Sequence, residues 1–105
     1  MTTFDEREVA FESKFAYDEE LKFKASVIAL KHVALWAASK LGKTGQDAEQ
    51  YAENATLCDL RDSGHSIFVN QMILHLGPRF SETQIRERIA NEYAIAHDRV
   101  INAMA

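Results

Sequence analysis

One cysteine in 105 residues, Cys58, leaves nothing for an intramolecular disulfide to join. That points to a reducing, cytoplasmic setting. One proline and four glycines mean few turns and no Pro-rich linker. A handful of long elements follows, and these are helices. A basic excess is also missing: 12 Lys and Arg stand against 16 Asp and Glu, for a net charge of −4. A general nucleic-acid binder carries a basic surface, so that class is excluded. No apolar run reaches membrane length. The most apolar stretch, Ala25 to Ala38, is interrupted by Lys31 and His32 and reads as a buried helix. The opening MTTFDEREVAFE is charged from Asp5 onward and is not a secretory signal.

What is present fits one ordinary globular domain. Hydrophobic residues make up 47% and charged residues 27% of the chain, which separates it from disordered sequences. The charge is uneven. Seven acids against four bases lie between Met1 and Lys24, so most of the negative excess sits at the N-terminal end.

Apolar spacing divides the chain into helices. A first segment, about Phe4 to Tyr17, opens on Thr3 and Glu6 at capping-box spacing. A second, about Asp18 to Leu41, has Asp18, Glu19 and Glu20 suited to the positive end of a helix dipole, and Gly42 as its stop. It is apolar on most sides, so it belongs in the middle of a bundle. A third runs from Gly45 to Arg61 with Ala48, Tyr51, Ala52, Ala55 and Cys58 inward, and Asp62-Ser63-Gly64 ends it. A fourth, His65 to Leu76, buries Phe68, Met72, Ile73 and Leu76 and stops at Gly77-Pro78. Ser81 and Gln84 form a capping box for the last, Glu82 to Met104, with Ile85, Ile89, Tyr93, Ala96 and Val100 at helical spacing. The expected fold is all-α, a four-helix bundle over residues 18–105 with a flexible or partly helical N-terminal arm over residues 1–17.

Catalytic chemistry is not visible. His32, His65, His75 and His97 show no metal-ligand spacing; His32 reads as a core or boundary histidine. Gly42-Lys43-Thr44-Gly45 contains the end of a phosphate-loop pattern, but Ala37 stands where its first glycine belongs, inside a helix. Cys58 reads as a small core residue. Glu19 and Glu20 read as helix-terminus charges. No nucleophile–base arrangement appears, and the chain is expected not to be an enzyme.

The feature left over is the arm. Phe4, Phe11 and Phe15 fall on one narrow stripe at about 100° per residue, either folding back on the bundle or entering a groove elsewhere. Burying one Phe is worth roughly 1.5–3 kcal/mol. Ordering about a dozen free residues costs roughly 1–2 kcal/mol each in backbone entropy. The three rings do not meet that cost alone. A captured arm is therefore expected both to be already partly helical and to gain charged contacts from Glu6, Arg7, Glu8 and Glu12. A helix this short is marginal in isolation and hardens on binding.

The order of residues Met1-Thr-Thr-Phe-Asp-Glu-Arg-Glu, Ala10-Phe-Glu, Lys14-Phe-Ala, Asp18-Glu-Glu-Leu and Phe23-Lys-Ala closely resembles the start of the zeta-type inhibitors of the F1 ATPase in α-proteobacteria. Leu35-Trp-Ala-Ala, Lys40-Leu-Gly-Lys-Thr-Gly and Ala48-Glu-Gln-Tyr-Ala resemble that family's next block. These blocks cover about the first half of the chain; the second half is similar in helix layout. The resemblance implies a four-helix bundle whose N-terminal arm enters a catalytic α/β interface of the F1 head, with γ as a further contact, and stops ATP hydrolysis while sparing synthesis. It puts Phe4, Glu6, Arg7, Glu8, Phe11, Glu12 and Phe15 at the partner interface. The chain is then cytoplasmic, and peripheral to the inner membrane when bound to ATP synthase; its oligomeric state is left open, with a monomer favoured. ADP or ATP binding is also implied by the family, with no motif here to place it. In one place the chain departs from the family: an Arg-Arg-Asn-type stretch is replaced by Ser26-Val-Ile-Ala-Leu30, apolar surface in place of positive charge. Cys58 to His65 also lacks the family's acidic pattern. The alternative is a divergent regulatory or nucleotide-binding module with another partner.

Overall fold

Between Thr3 and Lys40 there is neither glycine nor proline, and seven residues are alanine. Nothing in that stretch breaks a helix, and much of it favours one. The computed structural model describes the backbone of residues 3–59 and 64–104, and side chains from 18–59 and 64–103. In it, α1 is one helix, Thr3–Lys40. The expected boundary between a first helix ending at Tyr17 and a second starting at Asp18 is absent. Asp18, Glu19 and Glu20 are interior helical positions instead of a helix start. Glu19 pairs with Lys22 at 3.4 Å and Glu20 with Lys24 at 3.5 Å. Spacings of three and four residues suit the middle of a helix as well as its end.

Gly42 stops α1 with φ 79°, a left-handed conformation that costs glycine little. The amide of Lys43 donates to Ala38 O at 2.9 Å and that of Gly42 to Ser39 O at 3.2 Å, a Schellman closure that satisfies the last carbonyls. After this short turn α2 runs back from Gly45 to Asp59. Then α3 spans Ser66–Leu76, a 3₁₀ turn covers Gly77–Arg79, and α4 spans Glu82–Met104. The Ser81–Gln84 capping box forms as expected: Ser81 N–H donates to Gln84 Oε1 at 2.8 Å, and Gln84 N–H to Ser81 Oγ at 3.1 Å.

The core lies between the C-terminal half of α1 and the other three helices. Leu30, Val33, Ala34 and Ala37 meet Ala52 and Ala55 of α2, Phe68, Val69, Met72 and Leu76 of α3, and Ile85 and Ile89 of α4. The alanines let α1 and α2 approach closely. The apolar substitution in 26–30 is mostly not surface. Ala29 and Leu30 are buried, while Ser26, Val27 and Ile28 are half-buried. Cys58 is also corrected. It is exposed: the expected Ala52 and Ala55 are buried and Ala48 and Tyr51 half-buried, but the buried stripe of α2 continues through Thr56 and Asp59 instead of Cys58.

Candidate functional site

α1 and α4 pack antiparallel, and their register is fixed by side chains. His32 Nδ1–H donates to Glu92 Oε2 at 3.2 Å. One turn on, the Arg88 guanidinium lies 4.1 Å from the centre of the Trp36 ring, which also meets Phe80 edge-on at 4.8 Å. His32 is half-buried, as its place on the apolar helix suggested. Continuing that register brings Met104, the last residue of α4, level with Glu20. Residues 3–17 of α1 therefore lie beyond the reach of α4. A helix of 38 residues is about 57 Å long, close to the longest dimension of the molecule, 61 Å.

The expected site residues, Phe4, Glu6, Arg7, Glu8, Phe11, Glu12 and Phe15, lie outside the residues whose side chains are described. Their backbone belongs to α1. A continuous helix keeps residues 4, 11 and 15 on one side of its axis by register alone.

Where α2, α3 and α4 meet lies a buried polar junction that sequence reading missed. Asp59 closes α2 with its side chain fully buried. Its Oδ2 sits 2.6 Å from His65 Nδ1, and its Oδ1 accepts from the Phe68 amide at 3.2 Å. His65 has φ 59°, a left-handed conformation that histidine adopts only at some cost. The short contact to Asp59 offsets it. Across the junction, Arg86 of α4 donates to Gly64 O at 3.0 Å and to Glu82 at 3.1 Å. Beside it is a cleft of about 430 Å³ walled by Ser26, Ala29, Ile89 and Tyr93. Its two ionisable groups other than the Tyr93 phenol, His65 and Arg86, are already engaged within the chain, and the exposed wall is mainly apolar.

At the opposite end, the Tyr51 hydroxyl donates to Met72 Sδ at 3.9 Å and lies 2.7 Å from His75 Nδ1. Lys43 stands over the Tyr51 ring at 5.7 Å. Burial pushes the Tyr51 phenol up from its ordinary value, so it stays a neutral donor at neutral pH. Among the described residues, no three of His, Cys, Asp or Glu come together as metal ligands. No described helix is long and apolar enough to cross a membrane. Every described buried side-chain nitrogen or oxygen has a partner, as a stable scaffold requires.

Compared with known families, residues 1–99 match the model described as ATPase inhibitor subunit zeta. The chain belongs to that family. No curated protein and no solved structure matches it. Zeta membership supports a regulatory role on the F1 ATPase and implies the F1 part of ATP synthase as partner. The match extends the resemblance from the first half of the chain to nearly all of it.

Proposed function

We propose that this zeta-family chain stops ATP hydrolysis by presenting residues 1–17, the leading part of α1, to a catalytic α/β interface of the F1 head. Phe4, Phe11 and Phe15 serve as anchors there, with Glu6, Arg7, Glu8 and Glu12 making charged contacts around them. Residues 18–105 are the handle that holds the arm. The carrying observation is the family match over residues 1–99 together with α1 running unbroken from Thr3 into the core. A helix that is one piece with a packed bundle is stiff at its base. It delivers its leading residues already shaped, which lowers the ordering cost of binding. The chain works as a monomer, and docking on the head places it beside the inner membrane.

Amide hydrogen exchange on the intact chain, with and without the cognate F1 head, tests this reading. The expected result is a gain in protection within residues 3–17. Protection gained only outside that stretch overturns the arm as the captured element.

A further inference from the structure

Phe23 and Leu57 are large apolar side chains left 55% and 56% exposed beside a packed core. They belong to one surface. Lys31 Nζ of α1 reaches Glu49 Oε2 of α2 at 3.6 Å. In this antiparallel hairpin that contact sets Val27 level with Glu53, and Phe23 level with Leu57. A groove of about 400 Å³ between the two helices is lined by Val27, Lys31, Glu49, Glu53, Thr56 and Leu57. Phe23 stands one turn beyond it, on the Val27 side of α1. The result is an apolar strip at the end of the α1–α2 hairpin that faces the arm.

We infer that this strip is a second contact with the same ATPase head, made by the rim of the opening that takes the arm. The inference rests on the arm reading above. Its geometry is simple. Phe15 and Phe23 are eight residues apart on one unbroken helix, about 12 Å along its axis. A surface that encloses α1 as far as Phe15 ends just over two turns from Phe23. The rim is then the nearest surface able to cover the strip. The charges define its chemistry. Lys31 and Glu49 cancel each other, while Glu53 joins none of the ion pairs among the described residues. The groove is thus apolar with one uncompensated carboxylate, and it fits an apolar rim bearing a lysine or arginine. Central apolar side chains give such a contact its affinity, and the charge gives it register.

The test titrates ATP hydrolysis by the cognate F1 head with full-length wild-type chain, F23Q/L57Q and E53K, alongside melting curves and sedimentation of each protein alone. Both glutamines keep a good helix former at exposed positions. The expected result is a half-inhibitory concentration raised about 10- to 100-fold for F23Q/L57Q, raised less for E53K, with wild-type melting temperatures. If F23Q/L57Q melts lower, E53K carries the decision by the same criterion. Wild-type potency in the variants overturns the second contact and leaves the arm reading standing. A wild-type dimer that F23Q/L57Q dissociates also overturns it, since the strip then binds a second copy. A wild-type chain without effect on hydrolysis overturns both readings.

Discussion

Asp59→Ala lowers the melting temperature by roughly 10–25 °C, the largest stability effect expected from any polar substitution in the described part of the molecule. The side chain is fully buried and has two jobs. Its Oδ1 accepts from the Phe68 amide in the first turn of α3, and its Oδ2 holds the left-handed His65 at 2.6 Å. Alanine leaves a buried amide and a half-buried imidazole without their acceptor. It also releases the backbone conformation that starts α3. A lost buried acceptor of this kind costs about 2–4 kcal/mol. For a domain near 100 residues that converts at about 4–8 °C per kcal/mol. Phe68, the residue whose amide is orphaned, is itself among the most deeply buried side chains, so the damage reaches the core. Asp59→Asn keeps one acceptor and offers an amide donor to His65 Nδ1, and should lose less than half as much. Thermal denaturation followed by circular dichroism measures both. An unchanged melting temperature for the alanine variant would show that water replaces the carboxylate at no cost.

Phe11→Ala does the reverse: it weakens inhibition of hydrolysis roughly 10- to 100-fold and leaves the melting temperature within about a degree of wild type. Removing one anchoring ring from a desolvated interface costs about 1.5–3 kcal/mol of binding, and 1.4 kcal/mol is tenfold in affinity. The register of α1 against α4 puts residue 11 beyond the last described turn of α4. Inhibition titrations and melting curves on the same preparation check both halves. A large fall in melting temperature with intact inhibition would place Phe11 in the core instead. The two variants divide the molecule. Asp59 carries the handle, Phe11 the arm, and each should leave the other's readout alone.

The helix stops were legible because they are local. Gly42, Gly77-Pro78 and the Ser81–Gln84 pair act within a few residues of where they stand, so each is found at its expected place. The periodic core of α3 and α4 was legible for the same reason. The Asp18–Glu20 triplet misled because acids at a helix start and acids paired with lysines in a helix interior look alike in sequence. Only the absence of any breaker between Thr3 and Lys40 favoured a single helix. Cys58 was expected in the core because hydrophobicity favours burying the thiol, yet it is exposed and its neighbour Asp59 is buried. What buries the carboxylate is the His65 imidazole and the Phe68 amide, six and nine residues downstream, brought together by a positive φ that no composition reveals. The apolar strip of Phe23 and Leu57 depends on the register of two helices. Neither residue alone stands out from the core leucines and phenylalanines around it.

The arm's functional identity came from a different source. Three phenylalanines at helical spacing fit a core stripe as well as an anchor stripe, and the energetics left a shortfall if the segment had to fold from a coil. The unbroken α1 addresses that shortfall, because a helix propagated from a packed base avoids the nucleation cost of an isolated one. The family match supplies the partner that spacing could not name.

ATP hydrolysis by the cognate F1 head, titrated with the intact chain at constant ATP, is the most direct measurement. A saturable fall toward full arrest is the expected curve, with ATP synthesis by the complete enzyme maintained. Undiminished hydrolysis at saturating chain would contradict it.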